Sequence, residues 1–149
     1  MSDAVSPRLT VVTLGVGGVT ASARFYEALG FVRKFHATGD EIAFFDAGGV
    51  VLALWGRDKL AADTALPAAE AGPDRFRDAT LAWNCATAAQ VDAAFKRALD
   101  AGAKPLRRPG PTDYGGYRGY FADPDGHIWE VVQAPGFAFT EDGRLILPD

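Results

Sequence analysis

Few side chains in this sequence are equipped for chemistry. Glu130 lies in Ile128-Trp-Glu-Val-Val-Gln133, a carboxylate among apolar neighbours. Such a group resists ionisation and can accept a proton from a carbon or hydroxyl acid near neutral pH. His127 is the second choice for proton transfer, but it stands three residues away on the same strand-like run. The two therefore face opposite ways and cannot chelate one ion together. His36, the other histidine, falls in a separate strand-like segment and reads as a surface or partly buried residue. Cys85 is the single cysteine, so no internal disulfide can form. With no histidine near it in sequence, it reads as a buried thiol rather than a nucleophile. Asp123-Pro124-Asp125-Gly126 opens like a calcium loop but lacks the further oxygen ligands and closing Glu at the required spacing. Gly15-Val16-Gly17-Gly18-Val19-Thr20 lacks the third glycine of a dinucleotide fingerprint, and no serine sits in a nucleophile elbow.

The elements that must position these residues follow from periodicity. Leu9 to Gly15 is rich in β-branched residues and predicts a strand. A helix follows, with Thr20 as its expected cap, Phe25, Ala28 and Leu29 at helical spacing, and Gly30 as a left-handed terminator. Phe31 to Ala37, Glu41 to Ala47 and Val50 to Trp55 read as three short strands. Residues 57–78 carry mixed charges, alanines, Pro67 and Pro73 without a sustained period, and read as a surface connection. Ala79 to Cys85 is again strand-like. Thr87 with Gln90 then forms a capping box ahead of Val91, Ala94, Phe95, Ala98 and Leu99, and Gly102 closes that helix. Pro105 to Arg108, Gly116 to Phe121 and His127 to Gln133 supply three more strands.

The order has repeated, and so have residues. Phe25-Tyr-Glu-Ala-Leu parallels Phe95-Lys-Arg-Ala-Leu, Val11 matches Thr80, and the turn through Gly49 echoes that through Gly126. Internal duplication predicts an α+β fold of two βαβββ modules, about 8–56 and 79–134, forming one domain over residues 1–149. Each half has one apolar sheet face, so the copies bury more surface side by side around a shared cleft. Residues 135–149 read as an extra hairpin turning at Glu141-Asp142-Gly143. The net charge of −4 without a basic cluster argues against a nucleic-acid partner. No stretch approaches the ~20 apolar residues of a membrane span, and the opening lacks a signal-like run, so a cytoplasmic protein is expected.

Gly119-Tyr-Phe-Ala-Asp-Pro-Asp-Gly-His-Ile-Trp-Glu130 resembles the last hairpin of vicinal-oxygen-chelate proteins, where a Phe-x-Asp-Pro-x-Gly turn precedes a strand ending in Glu. Phe25-Tyr26-Glu27-Ala28-Leu29-Gly30-Phe31 is similar to the family's helix end. The resemblance runs from about Leu9 to Gln133. It implies a curved, U-shaped mixed sheet with helices outside, a small ligand in the cleft, and a homodimer. Enzymes of the family hold a divalent metal on the first and last strands of each module. Here those positions fall on Val11, Ala53, Thr80 and Glu130, so no metal and no cofactor are expected, because one carboxylate cannot replace the three or more donors such an ion takes.

If Glu130 faces the cleft, alternation places Ile128 and Val132 beside it, with Val11 and Thr13, Ala53 and Trp55, and Thr80, Ala82 and Asn84 on matching faces. Tyr114, Tyr117, Arg118 and Tyr120 are candidates for a rim. Glu130 would be salt-bridged to Arg118, hydrogen-bonded to Thr80, or free for a ligand. The expectation is a metal-independent protein of the glyoxalase/bleomycin-resistance type, binding a small apolar or amphipathic molecule. The alternative is a lyase or isomerase with Glu130 as base or residual metal ligand. A further rival is a metal enzyme recruiting ligands from a partner chain or from residues 57–78.

Overall fold

A computed structural model describes residues 4–69, 72 and 74–149. The first module comprises β1 (Val11–Val16), α1 (Val19–Leu29), β2 (Val32–Lys34), β3 (Ile42–Asp46) and β4 (Val51–Gly56). The second comprises β5 (Leu81–Asn84), α3 (Ala88–Asp100), β6 (Lys104–Pro111), β7 (Tyr117–Ala122) and β8 (Ile128–Gln133). Strand order is β1-β4-β3-β2 in one sheet and β5-β8-β7-β6 in the other, so the expected duplication holds strand for strand. In both, the first strand runs parallel to the last and the remaining pairs are antiparallel. The strands thus form two separately hydrogen-bonded sheets, and β1 and β5 are each an edge of their own sheet.

Alternation decides which face is dry. Val12, Leu14 and Val16 on β1 share a face with Leu52 and Leu54 on β4 and with Phe45 on β3. Trp129 and Val131 share one with Phe121. These side chains join Phe25, Tyr26 and Leu29 of α1 and Val91, Phe95 and Ala98 of α3 in one apolar core spanning both modules. The helices therefore cover one face of each sheet.

Several boundaries differ from the sequence expectation, each for a local reason. Helix α1 starts at Val19 behind Gly18, which offers no side-chain cap, so Thr20 lies inside the first turn. Gly30 closes the helix at φ 106°, as expected, and the Arg97 guanidinium lies over it: a Cβ there would meet a guanidinium nitrogen at 3.0 Å. Strand β2 stops at Lys34 because Phe35 turns left-handed at φ 55°, and His36–Thr38 form one turn of 3₁₀ helix. His36 is thus exposed and off the sheet. The Thr87 cap of α3 is present, with Gln90 N donating to Thr87 Oγ1 at 3.2 Å, and the return bond falls one residue earlier than in a capping box, with Gln90 Oε1 accepting from Ala86 N at 2.9 Å. Strand β6 is longer than expected, reaching Pro111 through two register shifts. Residues 57–78 are not all loop, since α2 (Arg57–Asp63) leaves directly from β4 and packs against β1; Pro73 lies outside the described residues. The tail forms a hairpin of β9 (Ala138–Phe139) and β10 (Leu145–Ile146). No helix among the described residues is long and apolar enough to cross a membrane.

Candidate functional site

Strand register fixes the composition of the helix-free faces. In the second module Ala82 lies opposite Glu130 and Asn84 opposite Val132. Across the next ladder Tyr120 lies opposite Glu130 and Arg118 opposite Val132. Glu130, Tyr120, Asn84 and Arg118 therefore share one face. In the first module Val11 pairs with Val51, Thr13 with Ala53 and Gly15 with Trp55. Both faces are apolar with isolated polar points, a composition suited to holding and orienting a small organic molecule.

The hydrogen-bond partner of Glu130 is neither Arg118 nor Thr80. Tyr120 donates its hydroxyl to Glu130 Oε2 at 2.9 Å. Geometry explains the choice: Tyr120 is directly cross-strand, whereas Arg118 is one pair further along and Thr80 is exposed just ahead of β5. Burial, then the bond to Glu130, raise the Tyr120 pKa above its ordinary value, with Arg118 opposing, so the hydroxyl remains a donor near neutral pH. Tyr117 leaves the expected ligand set. Its hydroxyl donates to Asp92 Oδ1 on α3 at 2.7 Å, which places it on the helix side. Tyr114 is exposed in the β6–β7 connection.

At the four positions that the resemblance singles out, the side chains are Val11, Ala53, Thr80 and Glu130. Among the described residues no group of three or more His, Cys, Asp or Glu is placed to hold a metal ion. One carboxylate, two aliphatic side chains and a threonine do not make the donor set of a catalytic transition metal, which takes at least three protein donors. Cys85 is buried, and burial raises its thiol pKa, which disfavours the nucleophilic thiolate.

His127 takes part in a contact between the two modules. Its Nε2 lies 2.7 Å from Gly15 O at the end of β1, and Gly17 N donates to Asp125 Oδ1 at 2.8 Å. Asp123, buried at 3% exposure, accepts from Asp125 N and His127 N through Oδ1. Its Oδ2 accepts from the fully buried Tyr26 hydroxyl at 2.6 Å, and that hydroxyl accepts from Trp129 Nε1 at 3.1 Å. The Asp-Pro-Asp-Gly turn of module two is thus bolted to β1 and α1 of module one. Sequence reasoning singled out both segments and missed that they touch; a polar Tyr26 between apolar helix positions was the available signal.

A cavity of about 780 Å³ lies at the opposite end of the seam. It touches both facing edges, at Val12 and Leu81, and is roofed by Phe139 and Arg144 of the tail hairpin. Asn84 is the one predicted ligand residue with a polar side chain on its wall.

The Glyoxalase/Bleomycin resistance protein/Dioxygenase superfamily pattern matches residues 8–131. The fold is similar to a glyoxalase-related enzyme from Fulvimarina pelagi, at 36% identity and TM-score 0.83, over 95% of this chain and 99% of that one. It is also similar to a glyoxalase/bleomycin resistance protein/dioxygenase from Nocardioides, at 27% identity and TM-score 0.71, over 89% and 87% of the two chains. A lactoylglutathione lyase from Agrobacterium tumefaciens shares the fold at 18% identity and TM-score 0.61, over 89% and 95%. No curated protein matches the chain at a significant level.

Proposed function

Since the chain belongs to the Glyoxalase/Bleomycin resistance protein/Dioxygenase superfamily, we propose that it is a metal-independent binder of a small apolar or amphipathic molecule, held on the helix-free face around Glu130. The observation that carries this reading is the Tyr120–Glu130 hydrogen bond of 2.9 Å on an otherwise mostly apolar face. A carboxylate engaged by a neighbouring phenol is a hydrogen-bond anchor, and the other three strand positions supply no second ligand for a cation. Thr13, Ala53, Trp55 and Asn84 contribute shape and single polar contacts to the same reading. Self-association as a homodimer belongs to it as well, supported by exposed apolar side chains such as Val11, Val32 and Phe35.

The test is a thermal-shift panel of small aromatic and amphipathic compounds, with the best stabiliser taken to calorimetry. Binding is expected to survive chelator and to weaken roughly tenfold in Glu130→Gln, the scale of one hydrogen bond to a charged group. Affinity that collapses when chelator is added contradicts the proposal. A second reading, lyase or isomerase chemistry with Glu130 as base, draws on the printed name of the Fulvimarina relative, a glyoxalase-related enzyme. It requires turnover that persists in chelator and disappears in Glu130→Gln.

A further inference from the structure

The two ends of the seam are built from duplicated parts but are filled differently. Asp46 and Asp123 occupy matching turn positions and make the same local bond, to Gly48 N at 3.0 Å and to Asp125 N at 2.9 Å. The residues that follow diverge. Asp125 and His127 reach across to β1, whereas their counterparts Gly48 and Val50 have no polar side chain with which to reach β5. Tyr26 plugs the core behind one turn, whereas its counterpart Lys96 turns outward to pair with Asp100 at 2.7 Å. The filler is missing at that end, and the 780 Å³ cavity is what remains.

Its walls are not those of a simple packing defect. The lower surface is apolar and aromatic, with Phe31 5.8 Å from Trp129 and 6.4 Å from Trp83 between ring centroids. Among the described residues the charged lining side chains are Arg97 and Arg144, the latter paired through Nε with Asp142 at 3.2 Å just outside the wall, and no Asp or Glu contributes to the wall itself, in a chain whose net charge is −4. Arg97 is held at the rim by its own Nε bond to Ala28 O at 3.2 Å and by contact with Gly30. Its position is therefore set before any ligand arrives, which lowers the ordering cost of binding. A volume in the range of small-molecule pockets, with an apolar floor and two guanidinium groups at the mouth, selects a molecule with an apolar body and an anionic head.

We infer that this seam cavity, whose wall shares Ala82 and Asn84 with the Glu130 face but does not include Glu130, is a second binding site for an amphipathic organic anion gripped by Arg97 and Arg144 under the tail hairpin. The probes are octanoate, 1-octanol and octylammonium, which share a chain and differ in charge. They are titrated into the full chain by calorimetry and by the fluorescence of Trp83 and Trp129. Octanoate is expected to bind saturably at one per chain, at least roughly tenfold tighter than octanol, with no saturable octylammonium binding. Arg97→Gln and Arg144→Gln should each weaken octanoate roughly tenfold and leave octanol unchanged. Arg144 sits on the exposed hairpin, so its variant separates lost binding from lost folding. Leu81→Trp, which fills the cavity, should abolish binding of octanoate, while Glu130→Gln should leave it intact. Absence of saturable octanoate binding, equal affinity for octanol, or a loss in Glu130→Gln that the arginine variants do not share would each overturn the inference.

Discussion

The latched and open ends of the seam show how far one duplicated unit can diverge without changing its fold. At the latched end, a buried aspartate, a buried tyrosine and a tryptophan N–H satisfy one another across the module boundary. Buried polar groups of this kind are worth more intact than their separate parts suggest, because a lost partner strands the others in a low-dielectric interior. At the open end the equivalent residues are small or turned to solvent, and space replaces the bolt. The same backbone thus spends one end on cohesion and leaves the other available to a ligand.

The largest expected effect belongs to the bolt. Tyr26→Phe removes the donor to Asp123 and the acceptor for Trp129 while keeping the ring, and should cost about 2–3 kcal/mol. For a chain of this size that lowers Tm by roughly 5–10 °C in a thermal melt. A loss below about 0.5 kcal/mol would show that the Tyr26 hydrogen bonds contribute little to joining the modules.

The next effect is on alkaline stability. Burial, then the nearby Asp123 charge and hydrogen bond, hold the Tyr26 pKa well above the ordinary 10.0. The folded state therefore keeps this proton more tightly than the unfolded chain does. Its contribution is fully present below pH 10.0 and declines as pH rises beyond that toward the folded value. Denaturant midpoints should fall above pH 10, with a shallower slope in Tyr26→Phe; equal slopes would remove Tyr26 as the source. Tyr117 and Tyr120 are raised too, so the variant comparison and not the wild-type curve isolates the bolt.

The smallest effect sharpens the contrast at the duplicate position. Lys96 and Asp100 are exposed, and Lys96→Ala should change stability by no more than about 0.5 kcal/mol. A loss approaching that of Tyr26→Phe would mean that the two ends carry equal structural weight.

The duplication was legible in the sequence because it rests on local signals: β-branched runs, helix periodicity, and glycines at the turns. Gly30 and the Thr87 cap fell where their physics placed them. The failures have local and tertiary causes. Thr20 was read as a cap although Gly18 starts the helix without one, and the left-handed Phe35 shortened a strand whose composition suited a longer one. Tyr117 looked like a cleft residue because aromatics suit both faces, and Asp92 on α3 decided its side. Glu130 was legible as the singular carboxylate, but its partner was not, since cross-strand neighbours depend on register across a hairpin. The open seam could not be read at all, because a cavity is set by which side chains fail to arrive.

The reading of the Glu130 face turns on one count, the number of donors offered to a cation. Purified protein equilibrated in turn with zinc, nickel, iron(II) and manganese, then dialysed and assayed for bound metal, tests the consequence of that count. Sub-stoichiometric metal, unchanged by Glu130→Gln, is the predicted result. One ion per chain that is lost in Glu130→Gln would contradict it.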